Sequence, residues 1–188
     1  MEIGRRRDCV LATVVALAAA GCGGSETTTS SASATPGERR AVATLQSKSG
    51  TAVSGTATFE QVGNDPVRVR VRVERATPGL HGLHVHMTGD CSDPEAKAAG
   101  GHFNPFGAPH AGPQTQKRHV GDLGNIMVGK NGTGELEMVT NLLTVQAGPA
   151  SVVGRSVVFH TAKDDLTTQP TGDSGARQGC GVVVASSS

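Results

Sequence analysis

The amino-acid sequence predicts an all-β domain, an eight-stranded antiparallel Greek-key β-barrel or sandwich of immunoglobulin-like type with two long functional loops. Short segments in which apolar and polar residues alternate recur between turn signals, which is typical of strands with one buried face. No segment shows a convincing helical period. Glycine contributes 26 of the 188 residues, Trp and Tyr are absent and Phe occurs four times, so we expect a core of Val, Leu and Ala.

The N-terminal residues indicate export. Arg5–Arg7 form a positive segment, and the apolar run Val10–Ala20 that follows is too short to span a bilayer stably. The run ends in Ala19-Ala20-Gly21-Cys22, which resembles the lipobox of bacterial lipoproteins and implies cleavage before Cys22 and lipidation of its thiol. An ordinary secretory signal with a coincidental cysteine is the alternative interpretation. Both interpretations predict an exported protein.

The chain divides into three predicted segments. Residues 1–21 are a lipoprotein signal peptide, 22–40 a flexible Ser/Thr/Gly tether, and 41–185 the folded domain. Removal of the signal peptide leaves 14 basic and 14 acidic residues, and this balance gives no reason to expect nucleic acid as a partner. We expect a membrane-anchored lipoprotein on the outer face of the cytoplasmic membrane or in the periplasm or cell envelope.

Eight segments carry the strand pattern. In chain order they are Ala41–Gln46, Gly55–Gln61, Val67–Val73, Leu80–Met87, His119–Val128, Thr133–Val139, Ser156–His160 and Cys180–Ala185. Turn signals separate them at Ser49-Gly50, Thr77–Gly79 and Asn131-Gly132, the last being a strong hairpin signal. The predicted long loops are residues 88–118 and 163–176, which are polar and lack long apolar runs.

The third strand candidate alternates strictly between Val and Arg. Its Val face would be buried, and the face carrying Arg68, Arg70 and Arg72 would point to water. A solvated sheet face is the favoured interpretation, and contact with an anionic surface such as lipid headgroups is the alternative.

The four cysteines have different predicted fates. Cys9 leaves with the signal peptide and Cys22 takes the lipid. Cys91 and Cys180 are then the only pair in an exported domain, so we expect them to form a disulfide. Such a bond would stabilise the fold by roughly 4–5 kcal/mol in the chain-entropy model.

Histidine is concentrated in one stretch, since six of the seven histidines lie between His81 and His119. His84 and His86 are two apart on a predicted strand, so both side chains point to the same face. A second group has the spacing H-x7-H-x8-H-x2-D and consists of His102, His110, His119 and Asp122. Three imidazoles and one carboxylate are a suitable tetrahedral set for Zn²⁺.

Six motifs, taken together, resemble copper/zinc superoxide dismutases over roughly residues 41–185. They are GLHGLHVH (79–86), GGHFNP (100–105), GAPHAGP (107–113), RHVGDLGN (118–125), GRSVVFHTAKDDL (154–166) and GARQGCGVV (175–183). The resemblance implies an enzyme that converts superoxide to dioxygen and hydrogen peroxide by copper redox cycling and protects the cell envelope from extracellular superoxide. Its cofactors would be copper and zinc and its substrate the superoxide anion.

The resemblance also implies a role for each matching residue. Copper would be held by His84, His86, His102 and His160, and zinc by His102, His110, His119 and Asp122, with His102 bridging the two ions. Asp164 would hydrogen-bond the ligands His84 and His110, Arg177 would attract the anion, and Thr171 would narrow the channel. His102 could also carry a proton, and Cys91–Cys180 matches the family's disulfide.

Several interpretations stay open at this stage. A copper/zinc-binding lipoprotein that buffers or delivers copper without turnover is the alternative function. His81 has no ligand role in the mapping, and we expect it to be a structural, hydrogen-bonded histidine. The second loop is shorter than in the eukaryotic enzymes and lacks their Glu/Lys cluster, which predicts a weak salt dependence of rate. A homodimer is possible, but its surface is not identifiable from the sequence.

Overall fold

The structure of the protein, a computed structural model, describes residues 37–186. In this part of the chain, the regular structure consists of eight β-strands and one short 3-10 helix. The strands are β1 (Glu38–Ser47), β2 (Ser54–Val62), β3 (Val67–Glu74), β4 (Gly79–His86), β5 (Asp122–Val128), β6 (Gly134–Thr140), β7 (Ser156–His160) and β8 (Arg177–Ser186), and the 3-10 helix is Lys97–Ala99. Within these residues, no helix has the length and apolar character needed to cross a bilayer.

The strands close into one antiparallel barrel in the order β1-β2-β3-β6-β5-β4-β7-β8, with β8 paired back to β1. β4, β5 and β6 are consecutive in the chain and adjacent in the sheet, and β7 returns to lie beside β4. This arrangement is a Greek key. The predicted all-β, eight-stranded Greek-key fold is confirmed.

β3 shows most directly how the sequence specifies the barrel. Its alternate Val residues, from Val67 to Val73, are at most 2% exposed, and the Arg residues between them are exposed. The core is mainly Val, Leu and Ala, as expected, but Phe59, Phe103 and Phe159 also lie in it. Three of the four phenylalanines are therefore core residues, a larger aromatic share than the composition suggested.

The exposed face of β3 is balanced by acidic residues on the neighbouring strands. Arg70 lies 2.6 Å from Glu60 on β2 and 3.4 Å from Glu137 on β6. Arg72 pairs with Glu135 on β6. Exposed pairs of this kind stabilise a fold by only about 0–1 kcal/mol each. Their mixed charge fits a solvated face better than a surface for anionic lipid.

Three strands begin three residues away from the predicted start, and the other strands begin within one residue of it. β1 begins at Glu38 rather than Ala41, and its first residues, which the expected tether included, pair with β2. β5 begins at Asp122 rather than His119, because the N–H of Asp122 bonds the carbonyl of His119 at 3.2 Å and closes a turn. β8 begins at Arg177 rather than Cys180. The expected signal peptide, Cys22 and the tether up to residue 36 lie outside the described residues.

Three long connections join strands of the barrel. The first loop, residues 87–121, joins β4 to β5, and the second loop, residues 161–176, joins β7 to β8. Both match the predicted long loops. A third connection, residues 141–155, joins β6 to β7 and was not expected. The buried Gln61 holds this connection, since its side-chain oxygen accepts the N–H of Val145 at 2.8 Å. Leu143, Val145 and Val152 also anchor it in the core.

The disulfide between Cys91 and Cys180 is present, as predicted. It ties the first loop to β8 across a sequence separation of 89 residues, with the two Cα atoms 5.7 Å apart. The loop that carries several histidines is thereby fixed to the barrel at a point close to Arg177.

Candidate metal centre

β4 places two histidines under the long loops. Leu83 and Val85 point into the core and are fully buried, so His84 and His86 project from the opposite face. They are buried as well, at 0% and 1% exposed, because the two loops cover that face. The first loop runs beside the end of β4, where His102 forms an isolated antiparallel bridge with His86.

Four histidines converge at this face and are here termed the four-histidine cluster. They are His84, His86, His102 and His160. One ring nitrogen from each lies within 4.8 Å of the others, and all four residues are buried. β4 supplies two of them, the first loop supplies His102, and the end of β7 supplies His160.

Hydrogen bonds outside the cluster determine which nitrogen of each ring faces inward. The outward N–H donors are Nε2 of His84 to Asp164 (2.8 Å), Nδ1 of His86 to the Gly100 carbonyl (2.9 Å) and Nδ1 of His160 to the Gly175 carbonyl (3.2 Å). A carbonyl or carboxylate oxygen can only accept, so these nitrogens carry the protons. The second nitrogen of each ring therefore keeps its lone pair and faces the cluster.

Two of the inward atoms indicate that the cluster suits a metal ion. Nδ1 of His84 and Nε2 of His102 are buried and have no hydrogen-bond partner among the described residues. Leaving a buried polar atom unpaired costs about 1–3 kcal/mol. Coordination of a cation would use both lone pairs at once, and a set of imidazole nitrogens is suited to copper.

The electrostatic environment keeps these rings neutral. Burial lowers the pKa of His84 and His86 well below the usual range, and the neighbouring histidines lower it further. Burial also lowers the pKa of His160 to about 4. A neutral imidazole is the form that binds a metal ion.

A second group, here termed the His–Asp cluster, is centred on Asp122. The Nδ1 atoms of His102, His110 and His119 lie 2.8, 3.0 and 3.2 Å from Oδ1 of Asp122. Burial raises the pKa of Asp122, but contacts with His102 and with the N–H of Ala111 outweigh this and lower it. Three nitrogens and one carboxylate oxygen around a buried point fit a tetrahedral Zn²⁺ site.

His102 and Asp164 connect the two clusters. His102 faces the His–Asp cluster through Nδ1 and the four-histidine cluster through Nε2. The carboxylate of Asp164 accepts from His84 at 2.8 Å and from Nε2 of His110 at 3.0 Å. One ring and one carboxylate thus each link both clusters.

Arg177 lies beside the four-histidine cluster. Its guanidinium donates to the carbonyl oxygens of Ala96 at 2.5 Å and Gly100 at 2.6 Å. The Gly100 carbonyl is the one that also holds the His86 ring. Arg177 lines a surface cavity of about 660 Å³ together with Glu95 and others of the first and second loops.

Comparison with known proteins gives the family. The profile of copper/zinc superoxide dismutase (SODC) matches residues 53–183. The chain belongs to the copper/zinc superoxide dismutase family. A solved structure, that of the clock protein EA4, is similar with 34% sequence identity and a TM-score of 0.70, covering 81% of this chain and 98% of that chain.

The ligand sets expected for this superoxide dismutase family member come together in space. The four residues expected to hold copper form the four-histidine cluster, and the four expected to hold zinc form the His–Asp cluster. Both clusters are compatible with the family's metals.

Two further residues named from the sequence, His81 and Thr171, belong to neither cluster. His81 is 3% exposed, stacks on Phe159 and contacts the carbonyls of His160 and Thr77 at 2.9 and 2.8 Å, in keeping with the expected structural role. Thr171 lies partly buried in the second loop, and its carbonyl accepts a bond from the hydroxyl of Ser174 at 3.0 Å. Its role in narrowing a channel stays a prediction.

Other residues that support the two clusters escaped sequence reasoning. Asn125 brackets the backbone of Asp164, donating to its carbonyl at 2.9 Å and accepting its N–H at 2.8 Å. Asp93 accepts three backbone N–H groups and so orders the turn around Ala96, whose carbonyl holds Arg177. The pair Asp93-Pro94 is a helix-start signal that could have indicated this turn, whereas Asn125 gave no comparable signal.

Proposed function

We propose that the protein is an exported enzyme that converts superoxide to dioxygen and hydrogen peroxide with bound copper and zinc. The observation that carries the proposal is the pair of buried clusters that share His102, with Arg177 beside the four-histidine cluster. Membership of the copper/zinc superoxide dismutase family supports it.

The proposed ligand roles follow from the ring nitrogens that face inward. Copper would be held by His84 through Nδ1 and by the second nitrogens of His86, His102 and His160. Zinc would be held in the His–Asp cluster. Asp164 would orient a ligand of each metal, since outer hydrogen bonds of this kind set the ring position and raise its basicity.

Copper in this position would supply one-electron chemistry, alternating between Cu²⁺ and Cu⁺ so that one superoxide leaves as dioxygen and the next as hydrogen peroxide. Forming peroxide consumes two protons for each pair of superoxide anions. Nε2 of His102 has no hydrogen-bond partner among the described residues, so it could hold one of these protons whenever its lone pair is released from copper. The carboxylate of Asp122 at the other side of the ring keeps Nδ1 oriented toward the His–Asp cluster.

Arg177 would bind the anion. Its guanidinium is always charged and offers planar donors suited to a small oxyanion. Two carbonyl bonds hold it in place, and its guanidinium is positioned by the same Gly100 oxygen as His86. A protein that only buffers or delivers copper has no use for a fixed anion-binding cation, so Arg177 favours the enzyme over that alternative.

A superoxide-consumption assay on the mature domain loaded with copper and zinc tests the proposal. We expect His160→Ala to abolish activity and to lose copper, because it removes one of four ligands. Arg177→Ala should keep its copper and lower kcat/KM about 10–100-fold, the worth of one charge-assisted hydrogen bond. Arg68→Ala removes an exposed arginine of β3 and serves as the matched control with unchanged activity.

Two results would overturn the assignment. If His160→Ala keeps its activity, copper ligation by His160 is not needed for the reaction and the assigned copper site is wrong. A metal-loaded wild type without turnover, but with tight copper binding, would favour the buffering lipoprotein.

We further propose that the enzyme is anchored through lipidated Cys22 and protects the cell envelope from superoxide. The Arg-rich start and the Ala19-Ala20-Gly21-Cys22 sequence support this. Mass spectrometry of the mature protein should show a diacylglyceryl-modified N-terminal cysteine, and Cys22→Ser should release the protein from membranes. A wild-type protein that starts elsewhere or carries no lipid would contradict the anchor.

A further inference from the structure

The side chain of Gln169 reaches from the second loop to the backbone of His110 in the first loop. Its oxygen accepts the N–H of His110 at 2.8 Å, and its nitrogen donates to the carbonyl of His110 at 2.7 Å. Both backbone polar groups of this histidine are therefore bonded to one side chain, 59 residues away in the chain. Such two-point pairing fixes the peptide units on both sides of the residue.

His110 depends on this support because its own surroundings contain no regular structure. The segment around it, from Gly107 to Pro113, lies outside every strand and helix of the described chain. Its ring is fully buried between Asp122 and Asp164, at 3.0 Å from each. A small rotation of the backbone would move the ring relative to both carboxylates.

Gln169 is itself held by a hydrogen-bonded turn. The carboxylate of Asp165 accepts the N–H groups of Thr167 at 2.9 Å and Thr168 at 2.8 Å. The carbonyl of Thr168 accepts the N–H of Gly172 at 2.7 Å, which closes the turn around Gln169. The amide of Gln169 also donates to the Thr167 carbonyl at 3.2 Å. The side chain thus projects from a rigid base.

We propose that Gln169 is a positioning residue for the zinc half of the centre. By fixing the backbone of His110, it holds Nδ1 of that ring in place beside Asp122 and slows the release of zinc. The inference rests on the proposed ligation of zinc by His110. The second loop would then control zinc retention as well as border the anion site.

The test measures zinc release into an excess of a chromogenic chelator from the zinc-loaded protein. Gln169→Leu keeps the size of the side chain and removes both hydrogen bonds, and we expect about tenfold faster release, the lower end of the effect of losing an outer partner. Gln169→Glu keeps an acceptor for the His110 N–H and loses the donor, so an intermediate rate is expected. Gln116→Leu is the matched control, because Gln116 is exposed in the first loop. Its release rate should equal that of the wild type.

The thermal midpoint of each metal-free variant separates positioning from general stability. If Gln169→Leu lowers this midpoint but releases zinc at the wild-type rate, the residue is merely structural and the inference is wrong. If Gln169→Leu does not fold, Gln169→Glu decides the question. Zinc release from Gln169→Glu at the wild-type rate would also overturn the inference. If the wild-type protein binds no zinc, the proposed metal function itself is wrong. This failure is distinguishable from failure of the Gln169 inference, because it is seen without any variant.

Discussion

Replacing Gly172 with Ala should disrupt the link between the two clusters. Gly172 has φ +70°, and a Cβ at this position would lie 1.9 Å from Oδ1 of Asp164 and 2.6 Å from Nε2 of His110. The second loop therefore passes directly over the hydrogen bond between these two residues. A methyl group cannot be placed there unless the carboxylate or the loop moves.

Asp164 has little freedom to move away. One of its oxygens accepts from His84 at 2.8 Å, the other also accepts the N–H of Leu166 at 2.7 Å, and Asn125 holds its backbone at two points. The positive φ costs an alanine about 1–2 kcal/mol, and overpacking adds about 1–3 kcal/mol. Together these lower the free energy of unfolding by roughly 2–5 kcal/mol, which corresponds to a fall in Tm of about 5–20 °C for a domain of this size.

Thermal unfolding of the metal-free protein, followed by zinc-release kinetics, measures the effect. Gly50→Ala is the matched control, because Gly50 has φ +71° and nothing lies within 4 Å of its added Cβ. Gly50→Ala should lower the free energy of unfolding only by the cost of a positive φ for alanine, about 1–2 kcal/mol. If Gly172→Ala is no less stable than Gly50→Ala and releases zinc equally slowly, the steric reasoning is wrong.

Three further predictions concern the whole domain. Paired Cys91→Ser and Cys180→Ser substitutions should lower the free energy of unfolding by about 4 kcal/mol in urea titrations, since the bond spans 89 residues; an unchanged midpoint would contradict this. The rate constant kcat/KM should fall only weakly from low to high ionic strength, because Lys97 pairs with Glu95 beside the cavity and their charges cancel. A steep fall would argue against it. The metal-free protein should lose stability as the pH falls from 6.5 toward 4. Burial lowers the pKa of His160 to about 4 in the folded protein, so the unfolded chain binds a proton at this histidine at a higher pH than the folded protein does. Thermal scans between about pH 8 and about pH 4 should show this loss, of order 3 kcal/mol, whereas a flat profile would refute it.

The strands and the ligand sets were predictable because their signals are local. The alternation in Val67–Val73 needs only the two-residue period of a strand, and His84 and His86 share a face for the same reason. The grouping of His102, His110, His119 and Asp122 follows from residue type and spacing. The addition of His160 to the first pair depended on resemblance, since no spacing rule joins residues so far apart.

The supporting residues were not predictable from the sequence in the same way. Gln169 and Asn125 bond backbone N–H and carbonyl groups. Because almost every residue has these groups, the type of the partner residue does not reveal the pairing. The start of β5 was misplaced for a related reason. His119 and Asp122 both suit a strand by pattern, but a backbone hydrogen bond between them makes a turn.

The closure of the barrel by its first and last strands has a consequence for the order in which the centre can assemble. All residues of the His–Asp cluster lie between positions 102 and 122, whereas the four-histidine cluster requires His160 from β7, and Arg177 begins β8. A chain that crosses a membrane from its N-terminus would therefore present one complete ligand set well before the other. Arg177, the residue proposed to bind the anion, follows both ligand sets in the chain and begins β8, the strand that pairs with β1. Under the proposed function, the copper ligands would be complete only after β7 has been delivered, and the proposed anion site only after β8 has begun.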